Sequence, residues 1–150
     1  MSVTIRPLKE GDRADWEERW RNYLIFYEAE LPAEQTQATW ARLMDPASDP
    51  HGLVALDNNN GGGKMIGITH YLFHVSTWLM GPTCYLQDLY VDEAARGTGA
   101  GRALIEAVYA AADEAGASQV YWTTQHFNET ARRLYDRIGK VTPFIKYNRF

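Results

Sequence analysis

Near the middle of the chain, Arg96-Gly-Thr-Gly-Ala-Gly101 stands between a run of strand formers and a run of helix formers. A helix N-terminus presents unpaired N–H groups and a partial positive charge, so this placing suits a pyrophosphate. Gly97, Gly99 and Gly101 let the backbone approach such a ligand without a Cβ in the way. The spacing excludes two phosphate-binding readings. A Walker A loop needs Gly-Lys-Ser/Thr, and here Gly101 is followed by Arg102. A dinucleotide fingerprint needs a glycine three places after its second one, where Arg102 stands, and belongs in a domain's first strand-helix unit.

Other chemically suggestive residues lead elsewhere. Asn58-Asn59-Asn60-Gly61-Gly62-Gly63 could pass for a phosphate cradle, but it joins two strands and precedes no helix, so a hairpin turn is expected. His70 and His74 would share a helix face and could ligate zinc there. On a strand they stand ~13 Å apart, too far for one metal. Cys84 has no nearby sequence partner to activate it and reads as a small strand residue.

The elements that must position the glycine loop follow from periodicity. Val3 to Arg6 alternates as a first strand closed by Pro7. Asp12 is placed as the N-cap of a helix with Trp16, Trp20, Tyr23, Leu24 and Tyr27 on one face. A second helix begins at Pro32 and turns Trp40, Leu43 and Met44 inward. Strands are expected at Leu53–Leu56, Met65–Val75 and Cys84–Val91. The glycine loop then opens a helix with Leu104, Val108, Ala111 and Ala115 on one side, ended by Gly116. Gln119 to Thr124 is a further strand, and Asn128 caps a short helix carrying Ala131, Leu134, Tyr135 and Ile138, terminated by Gly139. Val141 to Tyr147 is a last strand, with Pro143 marking an edge, bulge or crossover. The order is that of a mixed α/β sheet with helices on its faces, in one domain spanning residues 1–150.

Arg96, Gly99 and Gly101 match the pattern Arg/Gln-x-x-Gly-x-Gly/Ala, which resembles the acetyl-CoA pyrophosphate loop of the GNAT N-acetyltransferases. Leu89-Tyr-Val-Asp92 looks like that family's fourth strand, and Asn128 and Tyr135 fall where it places a cofactor-contacting Asn and an acid Tyr. Trp16 to Pro32, Thr77-Trp78, Tyr121-Trp122 and Phe144 to Arg149 are similar to the fungal histone and D-amino-acid acetyltransferases. Tyr85-Leu-Gln-Asp88 is similar, more distantly, to the spermidine/spermine acetyltransferases. The resemblance covers essentially the whole chain. It implies a GNAT fold: a mixed, mostly antiparallel sheet of six to seven strands, helices on both faces, and strands splayed at the cofactor site.

The resemblance also implies a reaction in which an amine attacks the acetyl-CoA thioester directly and a thiolate leaves. The backbone of Leu89, Tyr90 and Val91 would hold the pantetheine arm, a main-chain N–H there polarising the thioester oxygen. Gly97, Thr98, Gly99, Ala100, Gly101 and Arg102 would take the pyrophosphate, with Asn128 as a further cofactor contact. Arg96 and Arg102 either add charge or are solvated loop arginines. Tyr135 is the acid candidate, because a phenol with pKa near ~10 is protonated at neutral pH and can donate to a thiolate whose thiol titrates near ~8.5. By periodicity alone Tyr135 reads as a core residue beside Leu134; the resemblance is what favours the acid.

A primary amine with pKa near ~10.4 is almost wholly protonated at neutral pH, so something must favour its deprotonation. Asp88 is the carboxylate nearest in sequence to the inferred thioester site, although strand alternation could point it away. Glu28 and Glu30 follow the aromatic first helix, and a water chain to bulk is a further route. Tyr23, Phe26, Tyr27, Glu28, Glu30, Trp78 and Tyr85 would suit a cationic acceptor if they line a pocket rather than a core. Polyamine acetyltransferases carry an acid where this chain has Gln87, which weakens a spermidine assignment. Lys140 departs from the family too, since an aromatic residue commonly follows that glycine.

Composition narrows the partners. A formal charge of −4 disfavours duplex nucleic acid, which needs a concentrated cationic face. No apolar run approaches the ~18 residues of a membrane span. The start lacks a secretory signal pattern, and the single cysteine suits a reducing compartment, so a cytoplasmic location is expected. The implied mechanism uses no metal, and the resemblance implies a homodimer. The competing reading is a non-catalytic acyl-CoA-binding or sensing module on the same fold.

Overall fold

The computed structural model describes residues 2–59 and 63–150. Strands β1 (Val3–Pro7), β2 (His51–Asp57), β3 (Lys64–His74), β4 (Thr83–Val91) and β5 (Gln119–Tyr121) form one sheet in the order β1-β2-β3-β4-β5. The first four pair antiparallel, and β5 lies parallel to β4. Helices α1 (Arg13–Phe26) and α2 (Ala33–Leu43) connect β1 to β2. Helix α3 (Ala100–Glu114) makes the crossover that a parallel β4–β5 pair requires, and α4 (Glu129–Ile138) follows β5.

The sheet carries a core on each face. On one, Trp16, Trp20 and Trp40 from α1 and α2 pack with Val54, Met65 and Ile68. On the other, Leu104, Ile105 and Val108 of α3 pack with Leu53, Ala55, Cys84 and Leu86, and Leu134, Tyr135 and Ile138 of α4 border that core. Trp16 is wholly buried and stacks with Trp20 at 5.9 Å, so truncation to Ala would cost about 3–5 kcal/mol. Cys84 is also wholly buried, and burial pushes its thiol up to about 11.

Several expectations are corrected in detail. Asp12 does not cap α1 with its side chain; its carboxylate accepts from both ends of the Arg6 guanidinium, at 2.7 and 2.9 Å, and from the Lys9 N–H. Pro32 is the residue before α2 rather than within it. Ala112, not the exposed Ala115, completes the buried stripe of α3. The turn expected at 58–63 includes residues 60–62, which lie outside the described residues. Gly139 ends α4 in an extended conformation, where a Cβ would press on the Trp122 ring at 2.9 Å.

The larger correction concerns strand number. β5 ends at Tyr121 rather than Thr124, and 141–147 forms no strand, so the sheet has five strands among the described residues instead of six or seven. Phe144, Ile145, Tyr147 and Phe150 stand in solvent. Pro143 removes a ladder donor from this segment, and strand-like composition forms a strand only when an edge is there to pair with.

Candidate active site

The site is built where β4 changes its side-chain parity. Cys84 and Leu86 belong to the α3 face, and unbroken alternation would send Asp88 there too. Asp88 instead pairs with His70 and Leu86 with Tyr71, which leaves Gln87 as an extra residue without a β3 partner. This bulge flips the strand, so Asp88 and Tyr90 face α1 while Leu89 and Val91 return to the α3 core. The same region lacks a second neighbour. Pairing with β5 runs only from Thr83↔Gln119 to Tyr85↔Tyr121, so β4 beyond Tyr85 has no β5 partner. This early end of the ladder leaves Leu89, Tyr90 and Val91 without a β5 neighbour, where a splay is expected.

Asp88 is nearly buried and held from β3, its Oδ2 lying 2.9 Å from His70 Nδ1. The other ring nitrogen, His70 Nε2, accepts the Trp16 indole N–H at 2.9 Å. On the α1 side the Tyr23 hydroxyl faces Asp88, and burial together with that carboxylate holds its phenol far above the ordinary range. Tyr27, one turn further on, is raised by the same two causes. Tyr135 approaches from α4, edge-on to Trp122 at 5.5 Å. Burial, with a smaller contribution from Tyr27, pushes its phenol up to about 12. Asp88 of β4 thus acts on Tyr27 at the end of α1, and Tyr27 in turn on Tyr135 of α4.

The glycine loop follows β4. Gly97 and Gly99 have φ of 83° and 89°, the left-handed region that side chains avoid, and a Cβ built on either would meet no neighbouring atom within 4 Å. Among the described residues, no acceptor takes the backbone N–H groups of Gly97 through Arg102, and the first helical bond at this end is Ala103 N–H to Gly99 O at 2.9 Å. A row of unpaired donors at a helix N-terminus, with open space before it, fits the pyrophosphate of acetyl-CoA. Thr98 braces the loop by donating its hydroxyl to Ala95 O at 2.6 Å. Arg96 lies over the Phe26 ring at 5.9 Å and donates to Val91 O, tying the loop to α1. Arg102 is exposed and paired with Glu106 at 3.1 Å.

The other expected residues divide. Asn128 caps α4, its Oδ1 accepting Ala131 N–H and its Nδ2 donating to Thr124. Tyr85 stacks on Tyr121 at 4.8 Å, just where β4 and β5 part. Gln87 is exposed at the bulge. Glu28, at φ 54°, and Glu30 are exposed in the α1–α2 connection, and their carboxylates form no hydrogen bond or ion pair among the described residues. Trp78 is 86% exposed in the β3–β4 loop. His74 bonds to Tyr121 and Val75, and no group of three or more His, Cys, Asp or Glu among the described residues is arranged to hold a metal. Sequence reading missed His70 as part of this site. Its signal was its place two residues beyond Ile68 on a buried strand face, since a buried polar ring needs partners.

Known proteins share the sequence pattern and the fold. The model of the Acetyltransferase (GNAT) family matches residues 13–139. A D-amino-acid N-acetyltransferase of Saccharomyces cerevisiae is 37% identical over 147 residues, covering 98% of this chain and 90% of that one. A thialysine N-epsilon-acetyltransferase of Sus scrofa is 37% identical over 144 residues, covering 92% and 84%. Among solved structures, a ribosomal-protein-alanine N-acetyltransferase from Brucella melitensis biovar Abortus 2308 shares the fold at TM-score 0.81 and 21% identity, covering 99% of this chain and all of that one. An AAC(6')-Iy structure in complex with a CoA-linked bisubstrate analogue does so at TM-score 0.83 and 16% identity, covering 100% and 99%. With the family model matching most of the chain and curated relatives 37% identical over nearly its whole length, this protein belongs to the GNAT acetyltransferase family and is an acyltransferase.

Proposed function

We propose that the chain moves an acetyl group from acetyl-CoA to a primary amine by direct attack, with Asp88 accepting the amine's proton and Tyr135 donating to the departing sulfur. The observation that carries this reading is the unpaired row of N–H groups from Gly97 to Arg102 at the end of the strand whose bulge turns Asp88 toward Tyr23 and Tyr27. When bound, acetyl-CoA supplies a thioester carbon open to an amine. The chain's part is to hold, orient and move protons. Gly97, Thr98, Gly99, Ala100, Gly101 and Arg102 take the pyrophosphate, and the unpaired edge at Leu89, Tyr90 and Val91 holds the pantetheine arm. A main-chain N–H of that edge polarises the thioester oxygen. Asn128, beyond its capping role, borders the cofactor.

The acceptor side is acidic and aromatic. Asp88 with Tyr23, Tyr27 and Tyr85 suits an ammonium group before it gives up its proton. Small amines, polyamines, amino acids and protein lysines all present such a group, and relatives named for D-amino acids and thialysine are consistent with that class. Gln87 at the bulge offers an amide rather than a charge, which favours acceptors other than spermidine. Among the described residues no helix is long and apolar enough to cross a membrane. We place the protein in the cytoplasm as a homodimer, the exposed aromatic tail at Phe144–Phe150 taking part in the contact.

The test is CoA release from acetyl-CoA against spermidine, lysine, D- and L-amino acids, aminoglycosides and a basic histone-tail peptide. An amine-dependent signal is expected and names the acceptor class. Tight acetyl-CoA binding with no release across the panel would favour the sensing module instead.

A further inference from the structure

We infer that His70 is the positioning residue of Asp88, locked by Trp16 into the one tautomer that can donate a hydrogen bond to the carboxylate. This rests on the reading of Asp88 as the proton acceptor. The Trp16 indole has only an N–H to give, and it points at His70 Nε2 at 2.9 Å. A proton on Nε2 would set two N–H groups against each other, so Nε2 is the acceptor and the ring proton sits on Nδ1. That proton faces Asp88 Oδ2, at 2.9 Å. The His70 side chain is 2% exposed and Trp16 wholly buried, so no water replaces either partner.

The arrangement inverts the familiar order in which a carboxylate orients a histidine. Here the histidine orients the carboxylate, and its far nitrogen ends on an indole that takes no proton. His70 therefore carries no proton onward; it fixes where Asp88 holds its lone pairs. Register explains how. His70 and Asp88 are directly paired across β3 and β4, and Asp88 is the residue that follows the Gln87 bulge. The ionisable groups facing Asp88 are His70 from β3, Tyr23 from α1 and Tyr27 just past its end, while Arg19 of α1 is engaged by Asp92 at 3.0 Å.

The proton step balances simply. The ammonium N–H bond breaks, its electron pair stays on nitrogen as the nucleophile, and the proton passes to the Asp88 carboxylate. His70 gains and loses nothing.

Three variants and one spectrum test this. Asp88→Asn is expected to lower kcat by about 10²-fold or more. His70→Leu keeps bulk but removes both ring nitrogens, and is expected to lower kcat by about 10²-fold through misplacement of the carboxylate, with the KM for acetyl-CoA within about twofold. His70→Asn, whose amide can donate from near the Nδ1 position, is expected to recover most of that loss although it leaves the Trp16 N–H unpaired. A purely structural role predicts the reverse: both His70 variants less stable, and kcat per folded molecule unchanged.

Nitrogen NMR of the wild-type ring supplies a readout that needs no activity and no variant to fold. A protonated Nδ1 with a bare Nε2 supports the lock; an Nε2–H ring overturns it. Full kcat in Asp88→Asn removes the base reading and the positioning role with it. A normal loss in Asp88→Asn beside an unaffected, folded His70→Leu overturns the positioning role and leaves the base standing.

Discussion

Burial pushes the Tyr135 phenol up to about 12, with the nearby Tyr27 adding to the shift. The shift favours the protonated form, so the proposed acid stays loaded across any pH at which the enzyme would be assayed. Tyr135→Phe is expected to lower kcat by about 10²-fold or more while leaving acetyl-CoA affinity nearly unchanged, since the phenol acts only as charge develops on sulfur. An unchanged kcat would make it a packing residue against Trp122. A second check uses phenolate absorbance during alkaline titration. Subtracting the Tyr135→Phe curve from the wild-type curve should reveal a step above pH 10 and none near the ordinary tyrosine value of ~10. Asp12 behaves oppositely, because the Arg6 guanidinium holds its carboxyl below the usual range. Asp12→Asn should cost about 1–3 kcal/mol at neutral pH, and that difference should vanish as pH falls through the carboxylate's depressed value. Chemical denaturation at two pH values would measure it.

At the scale of elements, the glycine loop and the bulge differ in how openly the sequence announces them. Gly97 and Gly99 were legible because positive φ at a helix start leaves glycine as the usual choice, so residue type reports geometry. The facing of Asp88 was not legible. It depends on one extra residue in β4, and nothing in Tyr85-Leu-Gln-Asp88 says which residue will be skipped by its neighbour. His70 stayed hidden for a related reason: its partners lie 54 residues before it and 18 after it, so no local window contains the network. The false strand at 141–147 is the converse case, where local composition suited a strand and no edge received it. The loop gives a direct test. In Gly99→Val the branched side chain occupies the space before the unpaired N–H groups and strains a backbone at φ 89°. Calorimetry should find acetyl-CoA binding lost, with about 1–3 kcal/mol of stability. Wild-type affinity in a folded variant would remove the loop from the cofactor site.

Across the whole molecule, burial is the leading cause that raises Tyr23, Tyr27, Tyr71, Tyr90, Tyr109, Tyr121 and Tyr135 together. Unfolding returns each phenol to ~10, so above that pH the unfolded chain ionises first and binds fewer protons. The stability these groups provide is complete below pH 10 and is lost as pH rises. The melting temperature should therefore stay level through neutral pH and fall from about pH 10, before the folded phenols themselves titrate. The exposed tail makes its own prediction at this scale. Removing residues 140–150 should convert the proposed homodimer to a monomer in sedimentation; an unchanged mass would move the contact elsewhere.

Cys84 bears on how all of this is measured. The chain's single thiol is sealed in the α3-side core, with its ionisation pushed up to about 11. A disulfide reagent that counts released CoA should accordingly find no background from native protein, even at high enzyme concentration. In denaturant the same reagent should register one equivalent per chain. A preparation thus carries its own gauge of quality: colour that develops before acetyl-CoA or amine is added reports the misfolded fraction.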